Sequence, residues 1–186
     1  MDPDEILLET EAAMEKAFEY MTHEFSAVRT GKASPALVEN IDVEAYGSAM
    51  KLKQLALITT PEPRLLVIQP WDKSLISPIE KAIMKSDLGI NPNNDGTVIR
   101  LALPQLNEQR RNDLAKQVKK RAEESKVAVR NVRRDADAGL KKLEKDGKLS
   151  QDELKRALDR VQKLTDGSIK QVDEAADRKE KEVKEV

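Results

Sequence analysis

Apolar residues recur every three or four positions over three long segments of the chain, and this periodicity limits the folds that the sequence can adopt. Such spacing places the apolar side chains along one stripe of an α-helix. The predicted helices cover residues 4–28, about 106–145 and about 150–183. Their stripes are Leu7, Met14, Phe18, Met21, Phe25 and Val28 in the first helix, Leu114, Val118, Ala122, Val129, Val132, Ala136, Leu140 and Leu143 in the second, and Leu154, Leu158, Val161, Leu164, Val172 and Ala176 in the third.

Helices of roughly 37, 60 and 50 Å cannot bury their stripes alone, so they must pack along one another. The segment between the second and third helices contains a stop signal at Gly147. It also contains a capping box, in which Ser150 and Glu153 each satisfy an orphan amide of the new helix. So short a turn makes these two helices antiparallel, and we expect the first helix to complete a three-helix bundle.

Residues 31–104 follow a different pattern, with short β-like runs separated by proline and glycine. The runs are LVENIDVEAYG, LALITT, RLLVIQP and TVIRLAL. Asp95-Gly96 is a turn signal, and residues 74 to about 85 have the pattern of a short amphipathic helix. This insert is therefore predicted to be a small α/β domain.

The sequence thus predicts an α+β fold with two domains. Residues 1–30 and 105–186 form an elongated antiparallel bundle, and residues 31–104 form the inserted domain. Because no long helix runs through the two connections, a hinge is expected there. The connections are Gly31–Pro35 and Leu103–Leu106, with Gly31, Pro35 and Pro104 as the predicted hinge residues.

Charge is distributed unevenly along a chain whose formal net charge is only −1. Residues 1–28 carry eight carboxylates and one lysine, whereas residues 108–134 carry ten lysines and arginines and four carboxylates. The acidic first helix is expected to complement the basic second helix. A neutral protein with one strongly basic helix is expected to meet a polyanion through that helix.

The basic residues of the second helix follow a regular spacing. Four of them each come one residue after a position of the packed face, and Arg134 broadens the ridge that they are predicted to form alongside that face. They are Lys119 after Val118, Lys126 after Ser125, Arg130 after Val129 and Arg133 after Val132. Guanidinium groups in a row suit a row of phosphates, because each can offer two parallel donors. The alternative is an ordinary solvated face of a long helix, and spacing alone does not separate the two.

Aromatic residues are few, and none lies within the basic ridge. They are Phe18, Tyr20, Phe25, Tyr46 and Trp71. Proteins that read single-stranded bases need stacking platforms, so recognition of the backbone and shape of folded RNA is favoured. Arg29, directly after the stripe residue Val28, would extend the cationic surface; its alternative role is that of a positive charge at a helix C-terminus.

Features of a catalytic or membrane protein are missing from the sequence. It has no cysteine, His23 is its only histidine, and it has no phosphate-binding loop, glycine-rich dinucleotide turn or nucleophile elbow. We therefore expect no enzymatic activity, no cofactor and no metal. The longest apolar runs fall short of a membrane span and the first residues are acidic, which favours a cytoplasmic protein.

Several long segments of the chain resemble the ribosome recycling factor family. They are RTGKASPALVENIDVEAYG at 29–47, IEKAIMKSDLGINPNNDG at 79–96, IRLALPQLNEQRRNDLAK at 99–116, VAVRNVRRDA at 127–136 and QKLTDGSIK at 162–170. Departures from the usual pattern are Lys32, Ala45, Asn107 and Gln109. Asn107 replaces the threonine that usually caps the second helix, and asparagine caps nearly as well.

The resemblance implies an L-shaped monomer of about the size of a tRNA, with a β/α/β domain inserted into the bundle. It implies a translation factor that binds the large ribosomal subunit after termination and, with elongation factor G and GTP, separates the subunits. Its rRNA-binding residues would be Arg29, Arg110, Arg130, Arg133 and Arg134. Tyr46, Trp71 and the loop Asn91–Gly96 are candidates for contact with elongation factor G. Without the resemblance, a coiled-coil adaptor that recruits partner helices would also fit the pattern.

Overall fold

The structure of the chain is a computed structural model that describes residues 2–185. Its helices are α1 (Pro3–Ser26), α2 (Leu52–Leu55), α3 (Ile76–Lys85), α4 (Glu108–Lys145) and α5 (Gln151–Lys184), and its strands are β1 (Asp42–Ala45), β2 (Ser48–Lys51), β3 (Ala56–Glu62), β4 (Leu65–Pro70), β5 (Asn93–Asn94) and β6 (Ile99–Ala102). The chain forms two compact units. Unit 1 contains the described residues up to Phe25 together with Ala115–Lys181, and unit 2 contains Ser26–Leu114 together with the described residues from Glu182 onwards.

Ion pairs between α4 and α5 show how these helices run in unit 1. Lys119 of α4 lies 3.7 Å from a carboxylate oxygen of Glu180 in α5. Further along α4, Lys126 lies 2.5 Å from Asp173, which comes earlier in α5. The two helices are therefore antiparallel, as the short turn between them predicts.

Helix α1 packs on α4 and α5, and apolar side chains of all three helices form one core. The members of this cluster are Ile6, Leu7, Ala136, Leu140, Leu143, Ala157 and Val161. Most of the predicted stripe residues are buried, which confirms the helical periodicity. Those that are only half-buried are Phe18, Val132, Leu154, Leu158 and Leu164. The first helix ends at Ser26 rather than at Val28, yet Val28 is buried in the segment that follows.

The predicted end of α4 and the predicted start of α5 are confirmed in detail. Gly147 follows α4 with a φ of +72°, the left-handed conformation in which glycine is preferred. At the start of α5, the N–H of Ser150 donates to Glu153 at 2.8 Å and the N–H of Glu153 donates to the Ser150 hydroxyl at 3.2 Å. Hydrogen bonds from Ser150 lower the pKa of Glu153. Asn107 caps α4 by accepting from the N–H of Arg110 at 2.7 Å.

Two glycines allow a matched test of this helical framework. Gly167 lies inside α5 with open space around the position of a Cβ atom, so Gly167→Ala should raise the free energy of unfolding by ~0.5–1 kcal/mol through helix propensity. Gly147→Ala should lower it, because alanine is strained at positive φ. Urea unfolding of both variants measures the difference. Equal effects of the two substitutions would contradict the assigned backbone conformations.

Unit 2 contains two antiparallel sheets. Strands β1 and β2 form a hairpin, and the other four form a sheet in the order β3-β4-β6-β5. Ile68 lies opposite Ile58 on one side and Ile99 on the other, so apolar residues of adjacent strands share a face. The core contains Leu37, Val38, Val43, Ala45, Leu52, Leu55, Ala56, Leu66, Ile68, Leu75, Ile79, Ile83, Ile90, Ile99, Leu101 and Leu103.

Most of the predicted elements of the insert are present, and the structure adds a short helix, Leu52–Leu55, and a short strand, Asn93–Asn94, that were not predicted. Two further details differ. The run that begins at Leu37 does not start as a strand, because Pro35–Leu37 is a 3-10 turn capped by Ser34. Strand β2, Ser48–Lys51, was not predicted from its SAMK sequence, since its pairing with β1 comes from the hairpin turn before it. The predicted amphipathic helix is confirmed as a 3-10 turn at Lys73–Leu75 that continues into α3.

Both connecting segments are hydrogen-bonded to the turn between β3 and β4. The N–H of Ala33 donates to the carbonyl of Pro63 at 2.7 Å, and the N–H of Leu103 donates to the carbonyl of Arg64 at 2.8 Å. Of the predicted hinge residues, Gly31 lies where an added Cβ would be in ordinary contact with the carbonyl oxygen of Glu185, at 3.7 Å, and Pro35 begins the 3-10 turn. The carbonyl of Pro104 accepts a hydrogen bond from the Arg29 side chain. Across residues 2–185, no helix combines the length and apolarity of a membrane-spanning segment.

Candidate nucleic-acid interface

Three of the candidate arginines lie on successive turns of α4 within unit 1. Arg130, Arg133 and Arg134 are spaced by three and four residues, so their side chains project from neighbouring positions on the helix. Arg134 is exposed, whereas Arg130 and Arg133 are half-buried, since their aliphatic stems lie along the helix surface. In the described part of the chain, neither Arg133 nor Arg134 has an ion-pair partner. Both guanidinium groups are therefore available to an external anion.

The two lysines of the predicted ridge both have ion-pair partners on α5. Lys119 lies 3.7 Å from Glu180 and remains 68% exposed, whereas Lys126 lies 2.5 Å from Asp173 and is 20% exposed. The reason is that these positions border the contact with α5, where carboxylates of that helix reach them. Within the described residues, Arg130 pairs with the exposed Glu123 at 3.2 Å, and such a surface pair is weak.

The acidic first helix does complement the basic helix, but through a specific contact. Arg121 donates to the carboxylate of Glu24 at 2.6 Å and to the backbone carbonyl of the same residue at 2.9 Å. Both side chains are about two-thirds buried. Arg121 therefore belongs to the packing of α4 on α1 and is occupied, although it lies in the basic segment.

The other two candidate arginines meet in unit 2. Arg29 donates through Nη2 to the carbonyl of Pro104, while its Nε is buried and has no hydrogen-bond partner in the described part of the chain. Burial and then the positive charge of Arg110 lower the pKa of the Arg29 guanidinium. Among the residues that the structure describes, no carboxylate pairs with either arginine. This pair of like charges would be stabilised by an anion between or beside them.

The position of Arg29 also bears on its alternative role. Helix α1 ends at Ser26, and the Arg29 side chain extends to Pro104 instead of folding back over the last carbonyls of the helix. A helix-dipole role acts within the last turn, so it does not account for this arrangement. The contact with Pro104 was not visible in the sequence, because it joins residues 75 positions apart.

Comparison with known proteins places these sites in a family. The family model of the ribosome recycling factor matches residues 21–183. The chain belongs to the ribosome recycling factor family. The ribosome-recycling factor of Halalkalibacterium halodurans is 57% identical over 182 residues, which are 98% of each chain. That of Carboxydothermus hydrogenoformans is 56% identical and covers 96% of this chain and 97% of its own.

Solved structures of the family confirm the predicted fold class. A solution structure of a ribosome recycling factor is 46% identical, with a TM-score of 0.81 over 100% of this chain and 99% of its own. A second chain, also 46% identical, has a TM-score of 0.68 over 98% of this chain and 99% of its own. It comes from a study of the T. thermophilus ribosome recycling factor and E. coli elongation factor G bound to the E. coli post-termination complex.

The loop Asn91–Gly96 of this family member is organised by its own polar groups. The Asp95 carboxylate accepts from the N–H groups of Thr97 and Val98, each at 2.9 Å, and pairs with Arg100 at 2.8 Å. The two N–H groups, followed by Arg100, hold the pKa of Asp95 well below its usual range. The Asp95 carboxylate therefore stabilises the turn, and these interactions leave it little capacity to bind a partner.

The two candidate aromatics of this ribosome recycling factor family member are strongly exposed. Tyr46 is 71% exposed and Trp71 is 67% exposed. The hydroxyl of Tyr46 donates to the carboxylate of Asp72 at 3.2 Å. Hydrogen bonds from Ser74 and then Tyr46 lower the pKa of Asp72. Sequence analysis singled out Tyr46 and Trp71 but gave no sign of Asp72.

Proposed function

We propose that this chain binds the post-termination ribosome and, together with elongation factor G and GTP, separates it into subunits. The observation that carries the proposal is the match to ribosome recycling factors over nearly the whole chain. A related chain that has been described with elongation factor G on the post-termination complex supports the choice of partners. The protein would act in the cytoplasm as a translation factor, with GTP hydrolysis supplied by elongation factor G.

The arginines would hold the protein on ribosomal RNA of the large subunit. A phosphate beside Arg29 and Arg110 would relieve their repulsion and supply the acceptor that the buried Nε lacks. Within residues 2–185, Arg133 and Arg134 have no acid to displace before they bind a phosphate, and Arg130 has only a weak surface pair. Of these arginines, we expect Arg133 to contribute most to the free energy of ribosome binding.

The two domains predicted from the sequence would have different roles. Residues 1–30 and 105–186 would be the bundle that is anchored to rRNA, and residues 31–104 would be the domain on which elongation factor G acts. A long helix transmits displacement along its axis, and hinges at Gly31, Pro35 and Pro104 would let the factor engage before the bundle moves. Displacement of the bundle would then break the contacts that join the subunits.

A subunit-splitting assay tests the proposal. Post-termination ribosomes are mixed with the purified chain, elongation factor G and GTP, and the subunits are separated on a sucrose gradient. We expect splitting only when all three components are present, and loss of ribosome binding at high salt because phosphate contacts release counterions. A chain that does not sediment with the large subunit even at low salt would contradict the proposal and favour a coiled-coil adaptor.

A further inference from the structure

A groove lies between α1 and α5 within unit 1. Its volume is about 420 Å³, and it is lined by Glu11, Met14, Glu15 and Phe18 of α1 and by Leu164, Gly167, Ser168 and Gln171 of α5. Met14 is buried, and Phe18 and Leu164 are half-buried, so apolar side chains form much of its wall. A cleft of this size is large enough to hold a single side chain or a small molecule.

Gly167 is an unexpected residue in the groove, because it lies in the interior of α5, where glycine is less favourable than alanine. In the described part of unit 1, open space surrounds the position that its Cβ would take. Neither the helix nor its packing therefore requires a glycine at this position. The missing side chain does, however, widen the groove.

Ser168 places an unpaired hydroxyl in the wall of the groove. The residue is only 9% exposed, and within residues 2–185 its side chain has no hydrogen-bond partner. Thr165, almost one turn earlier, shows the usual arrangement in a helix, since its hydroxyl donates to the carbonyl of Val161 at 2.8 Å. A buried hydroxyl without a partner is unfavourable, so alanine would suit the bundle at least as well. An occupant of the groove could supply the missing partner.

The charge of the groove is negative on its α1 side. Glu11 and Glu15 are one helical turn apart, both are exposed, and among the described residues neither has an ion-pair partner. Residues 9–19 of α1 carry four carboxylates and one lysine, Lys16, whereas residues 160–174 of α5 carry three basic and three acidic side chains. The described lining contains no lysine or arginine. This charge attracts a cation and repels a phosphate backbone.

We propose that this groove is a docking site for a lysine side chain of a protein of the large ribosomal subunit. The inference rests on the proposed function, under which unit 1 binds that subunit. The aliphatic stem of the lysine would lie against Met14, Phe18 and Leu164. Its ammonium group has three donors, which suit three separate acceptors, the two carboxylates and the Ser168 hydroxyl. The planar fork of an arginine suits a single carboxylate better.

Carbodiimide crosslinking tests the proposed contact, because this reagent joins a carboxylate directly to a lysine amine beside it. The purified chain is bound to large subunits, treated with the reagent and digested for mass spectrometry. We expect crosslinks from Glu11 or Glu15 to a lysine of a ribosomal protein, and none when both residues are changed to glutamine. The matched control is Glu19→Gln, which removes a charge of α1 one turn beyond the groove and should keep the crosslinks.

Gly167→Ala and Ser168→Ala separate docking from folding. Both variants should melt at the temperature of the parent or above it, because alanine favours the helix and removes an unpaired hydroxyl. Gly167→Ala should nevertheless weaken binding to the large subunit by about five- to tenfold, since its methyl group narrows the groove. Ser168→Ala should weaken it by about two- to tenfold through the lost hydrogen bond. Sedimentation with large subunits measures both affinities.

The possible outcomes distinguish the docking site from the proposed function. The docking site is wrong if both alanine variants bind as the parent does, or if the parent binds large subunits while Glu11 and Glu15 form no crosslink to a ribosomal protein. Crosslinks from these residues only to spermidine in the buffer would also contradict it, because the occupant would then be a small polyamine. If the parent does not sediment with large subunits at low salt, the proposed function is wrong and the docking site falls with it.

Discussion

Arg133→Ala should weaken binding to the ribosome by ~1–3 kcal/mol, or about five- to 150-fold. Arg133 has no ion-pair partner in the part of the chain that the structure describes, so its substitution breaks no internal salt bridge and leaves no buried acid unpaired. The loss should therefore appear in binding and not in folding. Sedimentation of the variant with the large subunit over a series of salt concentrations measures it. The slope of log affinity against log salt should fall by about 1 if one phosphate contact is lost.

Two further variants sharpen this experiment. Arg156→Ala removes an exposed arginine from α5 and should bind ribosomes as the parent does. Arg133→Lys keeps the charge but not the two parallel donors, so an intermediate affinity is expected. Unchanged sedimentation of Arg133→Ala, or a collapsed circular dichroism spectrum, would rule out its assignment as an exposed RNA contact.

Leu140→Ala should lower the free energy of unfolding by ~2–5 kcal/mol, which is a large part of the stability of a typical domain. Leu140 is completely buried and belongs to the cluster in which α1, α4 and α5 meet. Its truncation removes apolar contacts and leaves a cavity that three long helices can fill only partly. Urea unfolding measures the change, followed through the negative circular dichroism signal that helices give at 222 nm.

Leu8→Ala is the matched control for this substitution. Leu8 lies on α1, one residue from the buried Leu7, but is itself 70% exposed. The same chemical change should therefore alter stability by no more than about 0.5 kcal/mol. Similar losses for the two leucines would mean that the bundle does not bury the face of α4 that contains Leu140.

Local features of the chain were predictable from the sequence alone. The periodicity of the apolar stripes predicted α1, α4 and α5, and the capping signals at Gly147 and Ser150 predicted where α4 stops and α5 starts. Residues a few positions apart determine these features, because helix periodicity and capping involve one or two turns of backbone. Four of the β-like runs were predictable for a similar reason, although the strand Ser48–Lys51 has too weak a pattern to be recognised without its partner.

The tertiary structure decided which charged groups are free. Sequence spacing placed Lys119, Lys126 and Arg133 on one flank of a helix, but only the packing of α5 determined that both lysines have acidic partners, whereas Arg133 has none among the residues that the structure describes. The same holds for Arg29 beside Arg110. In each case the partners are far apart in sequence. Periodicity specifies which way a side chain points from its own helix, whereas the charge that it meets depends on which other segment folds against it.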